Sequence, residues 1–216
     1  MNLIDAMDQI GAVRRELTSL DHLGRPARAL TAEQTYATTA EDVWDALTRP
    51  ERLSRWFTPV EGDLREGGRY QLTGNAGGTI ERCDRPRSLA VTWEYGEGIS
   101  WVEVDLHESD RSTTLVLRHI MELDALDEHT LRYGPGAVGI GWDLSLLGLQ
   151  RHLESGETAD PAAVEEWAKS EAGRDFMTRS GEAWYEADVA DGTDPADARL
   201  RADRTRAFYL GEEEPA

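Results

Sequence analysis

Between residues 63 and 120 apolar and polar positions alternate with a period of two, broken at short intervals by turn residues. Residues 88–95 put Leu89, Val91, Trp93 and Tyr95 on one face and Ala90, Thr92 and Glu94 on the other. Residues 100–107 place Val102, Val104 and Leu106 together, and residues 113–120 do the same for Leu115, Leu117 and His119. Residues 67–72 and 79–83 read as two further strands around the glycine-rich turn at 74–78, where glycine permits positive φ. Strands joined by tight turns, with no helix between them, predict an antiparallel meander.

The period changes after Gly134-Pro135-Gly136, where a long helix is expected to run to about residue 154. Val138, Trp142, Ser145, Leu146, Leu149 and Leu153 form one stripe, and Leu144 and Leu147 widen it. A helix apolar over so broad an arc is predicted to be gripped by the sheet. Upstream, Leu3, Met7, Ile10, Val13 and Leu17 recur at helical spacing and predict a helix over 3–17. Gly24 and Pro26 break the chain, and 27–38 reads as a first strand. Thr39 is placed to cap a helix whose Asp42 meets free amides, and Arg49-Pro50 interrupts that helix before a short apolar turn with Leu53, Trp56 and Phe57. Residues 121–134 read as an acidic loop. In the tail, Asp160-Pro161 and Asp194-Pro195 mark helix starts, and Phe176, Met177, Ser180 and Trp184 share a face. The expected organisation is an N-terminal helical segment (1–26), an α+β domain (27–156) and a C-terminal helical extension (157–216) packed on that domain.

Charge narrows the partners. With 23 Lys+Arg against 42 Asp+Glu among 216 residues, the net charge is −19, a field that disfavours nucleic acid and anionic membrane surfaces. The one cysteine, Cys83, has no internal partner, no Cys/His cluster suggests zinc, and no apolar run reaches the length of a membrane span. The acidic N-terminus lacks the pattern of a secretory signal, so a cytoplasmic protein is expected.

Several phrases together resemble one family. TAEDVWDALTRPERLSRWF (39–57), GDLREGGRY (62–70), PRSLAVTWE (86–94), TTLVLRH (113–119) and the Gly141-Trp142 pair are similar to the Aha-type activator-of-heat-shock-protein-ATPase homologues. These belong to the START-like (SRPBCC) superfamily. The resemblance covers about residues 30–155. It implies the helix-grip fold, a curved antiparallel sheet around a long C-terminal helix with a cavity between them. It does not imply one reaction, because relatives include ligand binders, cyclases and co-chaperone domains.

Alternation points Tyr70, Leu72, Trp93, Tyr95, Val104, Leu117 and His119 toward the helix, with Trp142, Leu146 and Leu149 facing back. Such a wall suits a small hydrophobic or amphipathic ligand, and equally a filled core. Glu81 shares a face with Thr79 and Cys83, so strand parity points its carboxylate inward, where burial would raise its pKa; a twist or bulge in the strand would instead leave it solvated. Glu81 and His119 are therefore the candidate proton-transfer pair if the protein is a cyclase- or hydratase-type enzyme. The leading expectation is non-catalytic binding with no cofactor. A co-chaperone-like module, with a chaperone partner or a homodimer interface, is the third reading. Gly134, Gly136 and Gly139 match a dinucleotide fingerprint formally but lack the parallel βαβ context, and are better used for close helix–sheet approach. Asp124, Asp127, Glu128 and His129 match no metal motif, so no metal is expected. Trp101 falls on the opposite, outer sheet face, where Trp184 or Phe208 of the tail, or alternatively a dimer interface, is expected to cover it.

Overall fold

The computed structural model describes residues 3–126 and 128–215. Asp127 and the side chains of Leu3, Met7 and His129 lie outside the described part. The chain runs α1 (Leu3–Ala12), β1 (Arg14–His22), β2 (Arg25–Tyr36), α2 (Ala40–Thr48), α3 (Pro50–Trp56), β3 (Val60–Gly62), β4 (Arg69–Leu72), β5 (Gly77–Asp84), β6 (Ser88–Tyr95), β7 (Gly98–Ser109) and β8 (Ser112–Glu122). Then follow α4 (Glu128–Tyr133), α5 (Gly136–Ser155), α6 (Pro161–Lys169), α7 (Glu171–Ala190) and α8 (Pro195–Leu210). The strands form an open eight-stranded antiparallel sheet, ordered β1-β2-β8-β7-β6-β5-β4-β3. This is the α+β helix-grip arrangement: the sheet curves around α5, with α2 and α3 closing one end.

The expected caps form. Thr39 accepts a hydrogen bond from the Asp42 amide, and Asp160 and Asp194 cap α6 and α8 ahead of their first-turn prolines. The N-terminus differs from its helical reading. The helix stops at Ala12, and Val13 and Leu17 serve a strand edge rather than a helix face. β1 pairs along its whole length with β2, so its ladder hydrogen bonds outweigh a helical spacing of only a few apolar residues. The segment read as an acidic loop also contains the short helix α4.

One side of the sheet carries the main core. Leu30 and Ala32 of β2, Leu115 and Leu117 of β8, Val102 and Val104 of β7 and Val91 of β6 lie side by side in register. Val43 and Trp44 of α2, Leu146 and Leu149 of α5, and Trp184 and Ala187 of α7 complete the cluster. The C-terminal helices therefore join the same core as the sheet. The glycines read as a possible fingerprint serve this packing. A Cβ at Gly139 would lie 2.5 Å from the Trp184 ring, and one at Gly136 would lie 3.1 Å from Thr205 of α8. The close approach they permit is to α7 and α8, not to the sheet.

Trp101 is buried, but not by the tail. Leu20, Ala27, Ala29 and Ile120 surround it, and the His22 ring lies 4.2 Å from it, centroid to centroid. Strand β1 extends the sheet far enough to shelter this outer patch itself. Trp184 is on the other side, in the main core, and Phe208 is 57% exposed.

A buried polar node fastens the two ends of the chain. Asp143 of α5 is fully buried. Its Oδ2 accepts from Arg15 Nε of β1 at 3.0 Å, from Trp184 Nε1 of α7 at 3.1 Å, and from the Ser180 hydroxyl. Arg15 also donates to the carbonyls of Ile10 and Val13. Burial pushes the Asp143 carboxyl above the usual carboxylate range, and the Arg15 charge and the Ser180 and Trp184 hydrogen bonds oppose that rise.

Candidate functional site

Between the sheet and α5 lies a cavity of about 170 Å³. Its sheet wall is built by alternate residues of β4 to β8, including Tyr70, Val91, Trp93 and Leu117. Trp142, Leu146 and Leu149 of α5 form the facing wall. This is the convergence that strand parity predicts. The lining is almost wholly apolar, and four of its polar side-chain groups are bonded to backbone carbonyls. Tyr70 Oη donates to Thr92 O at 2.8 Å, Trp56 Nε1 to Ala46 O at 3.0 Å, Ser145 Oγ to Gly141 O at 2.8 Å and Thr48 Oγ1 to Trp44 O at 2.8 Å. Burial also raises the Tyr70 hydroxyl pKa, so this group stays protonated.

His119 stands behind this wall rather than in it. It is 4% exposed, and it is not among the cavity-lining residues. Trp142 Nε1 donates to His119 Nδ1 at 3.0 Å, and His119 Nε2 lies 2.8 Å from Ser100 Oγ. Ser100 in turn donates to Trp93 O at 3.2 Å. With the serine proton on Trp93 and the indole proton directed at Nδ1, the imidazole proton belongs on Nε2. Burial lowers the His119 pKa from 6.5 to about 4, which keeps the ring neutral. The chain Trp142–His119–Ser100 ties the Trp142 indole to the backbone carbonyl of Trp93, and the two indole rings meet at 5.2 Å in the cavity wall. His119 is thus a positioning residue for Trp142.

Glu81 is not inside. The register of β5 against β6 shifts between Ile80 and Arg82, so Glu81 occupies a bulge and is exposed. One extra residue inverts the parity on each side of it. Ile80 and Cys83 face the cavity, where plain alternation with Glu81 inward would put Thr79 and Cys83. Glu81 and His119 therefore do not converge as an acid–base pair. Tyr95 is also outside, 67% exposed, because it ends β6 at a hairpin tip beyond the reach of α5. Among the described residues no group of three or more His, Cys, Asp or Glu side chains could hold a metal ion, and no helix is long and apolar enough to cross a membrane.

The alternation argument misses the third wall. Leu53, Trp56 and Phe57 at the end of α3, with Val60 and Leu64 after it, close the cavity opposite the sheet strands. Their signal is the apolar Trp56-Phe57 pair after a helix opened by Pro50, which has no other core to join.

Comparison with known proteins agrees with this architecture. CalU16 from Micromonospora echinospora is similar in its crystal structure, with 33% identity, a TM-score of 0.63 and coverage of 82% of this chain and 98% of that one. Its solution NMR structure gives 34% identity and a TM-score of 0.69, over 84% of this chain and 97% of that one. EF2215 from Enterococcus faecalis, a conserved protein of unknown function, shares the fold at 15% identity and a TM-score of 0.58, covering 85% of this chain and 96% of that one. Among curated proteins nothing matches. The family model described as Activator of Hsp90 ATPase homolog 1-like protein matches residues 37–154, from the start of the α2 capping segment to the end of α5. The chain belongs to the Activator of Hsp90 ATPase homolog 1-like family.

Proposed function

We propose that the protein binds a compact, uncharged apolar or aromatic molecule in the cavity between sheet and α5, without catalysing a reaction on it. The observation that carries this reading is an almost wholly apolar cavity in which most polar lining groups are bonded to the protein and none is ionisable as a carboxylate or cation. Such a wall offers a ligand chiefly dispersion contacts and release from water. Size sets the class. A cavity of about 150 Å³ lined by aliphatic and aromatic side chains stays dry and accepts benzene. At about 170 Å³, this one suits a single aromatic ring or a short branched chain. The exposed position of Glu81 and the internal hydrogen bonds of His119 support binding over proton-transfer chemistry.

The test is titration of the protein with toluene and with benzene, followed by tryptophan fluorescence and by thermal unfolding. Binding is expected to change the emission and raise the Tm. Val91→Phe, which fills the cavity, is expected to abolish both responses while remaining folded. Failure of either probe to bind, or undiminished binding by the filled variant, rejects the proposal.

A further inference from the structure

A second concavity lies on the opposite side of α5, between its C-terminal half, the end of α3, the 157–160 linker and α6. Its volume is about 660 Å³, within the range of small-molecule sites. The floor is apolar, formed by Trp56, Leu144, Leu147, Val164 and Trp167. Trp56 is shared with the interior cavity and stands as the partition between the two. Gly148 lets it lie flat on α5, because a Cβ there would come within 3.0 Å of Trp56 O.

The polar groups around that floor are unbalanced. Acidic residues outnumber basic ones across the chain, and most described arginines hold a carboxylate. Arg49 and Arg52, on and beside α3, pair with Asp45 and Asp42. Arg55 and Arg151 line the groove, and neither guanidinium has an ion-pair or hydrogen-bond partner among the described residues. The Trp167 indole nitrogen is buried with no acceptor. The groove also carries three carboxylates: Glu154 accepts from Gln150, Asp160 caps α6, and Glu157 is exposed on the linker. These keep their charge, but none of them is paired with Arg55 or Arg151. His152 is closed into the wall, bonded to Arg52 Nε at 3.3 Å and to Glu157 O at 3.2 Å. The two guanidiniums are thus charged donors without a protein acceptor at the edge of an apolar floor.

We propose that this groove is a second ligand site, for an amphipathic organic anion. Its flat apolar body lies on Trp56, Leu147 and Trp167, and its carboxylate or sulfonate is held by Arg55 and Arg151. Guanidinium forks recognise such groups through paired, charge-assisted hydrogen bonds. The site is independent of the interior cavity, whose wall carries no charged side chain and suits a neutral molecule.

The experiment is a nitrogen–proton NMR titration of the full chain with 1-naphthaleneacetate and with the neutral 1-naphthaleneacetamide. The acid is expected to move the Trp167 indole resonance and to bind at least about tenfold more tightly than the amide. In the double variant Arg55→Gln/Arg151→Gln that preference disappears, and because both side chains are exposed and unpaired its thermal unfolding stays as in the parent. The Val91→Phe variant, with its interior filled, retains the preference, which separates this site from the cavity. Equal binding of acid and amide overturns the proposal. So does a preference that survives loss of both arginines, an acid that leaves the Trp167 indole unmoved at millimolar concentration, or an acid response lost in Val91→Phe.

Discussion

Replacing His119 by Gln should remove a specific part of the protein's acid sensitivity. The imidazole is buried, accepts from Trp142 Nε1 at 3.0 Å and meets Ser100 Oγ at 2.8 Å. A proton on Nδ1 would set two donors against each other in a buried site, and burial alone carries the pKa from 6.5 down to about 4. In the unfolded chain the ring keeps its ordinary value. Between those two values the unfolded chain takes up a proton that the folded chain refuses. The contribution of His119 to stability is therefore whole above about pH 6.5 and is lost as pH falls toward 4. Each unit of pH in that window is worth about 1.4 kcal/mol. At pH 5 the loss is about 2 kcal/mol relative to pH 7, approaching about 3 kcal/mol at pH 4. Urea unfolding of the parent and of His119→Gln at pH 7 and pH 5 measures it. Every other group is common to the two proteins, so the difference between the two losses isolates His119. The variant is expected to start about 1–3 kcal/mol less stable, from lost packing and a strained Trp142 partner, yet to lose about 2 kcal/mol less on acidification. Equal losses in the two proteins would refute the reasoning.

Two further perturbations test the packing of the C-terminal helices. Asp143→Ala leaves Arg15 buried without its counter-charge and strips Ser180 and Trp184 of their acceptor, so urea unfolding should show a loss of about 3–5 kcal/mol. Combining Asp143→Leu with Arg15→Met should recover most of that, and a double variant as unstable as the single one would mean the ion pair is not the dominant contact. Gly139→Ala places a methyl 2.5 Å from the Trp184 ring and must displace α7 from α5, at about 1–3 kcal/mol, with a shift in Trp184 emission as the accompanying sign. An unchanged spectrum and midpoint would show that this helix pair is loosely packed.

The strands that wall the cavity were legible because β6, β7 and β8 each repeat large apolar residues at every second position and are joined by short turns, so parity carries from one to the next. The same logic fails at Glu81. A bulge is a count of two residues against one on the partner strand, and neither strand contains that count alone. Strand β1 was hidden for a different reason. Of its residues only Leu17 is fully buried, so no strand-period pattern competes with the helical spacing that Leu17 happens to satisfy. His119 was placed on the correct face, but its role depends on Ser100 and Trp142, which lie 19 and 23 residues away. Asp143 gave no warning, since an acidic residue in a long helix is ordinarily solvated. Its donors come from 128 residues before it and from 37 and 41 residues after it. The groove under α6 was illegible too, because unpaired arginines become visible only after every carboxylate has been assigned.

The Asp143 node also has a bearing on how the chain matures as it is made. A ribosome delivers Arg15 first, its counterion 128 residues later, and the serine that completes the arrangement a further 37 after that. The strands can zip together hairpin by hairpin as they emerge, while this charged pair stays hydrated on an unfinished flank. Sealing of that flank waits for α7, so translation arrested just past α5 would leave a nascent protein whose sheet is paired but whose Arg15–Asp143 pair lacks the Ser180 and Trp184 donors that enclose it.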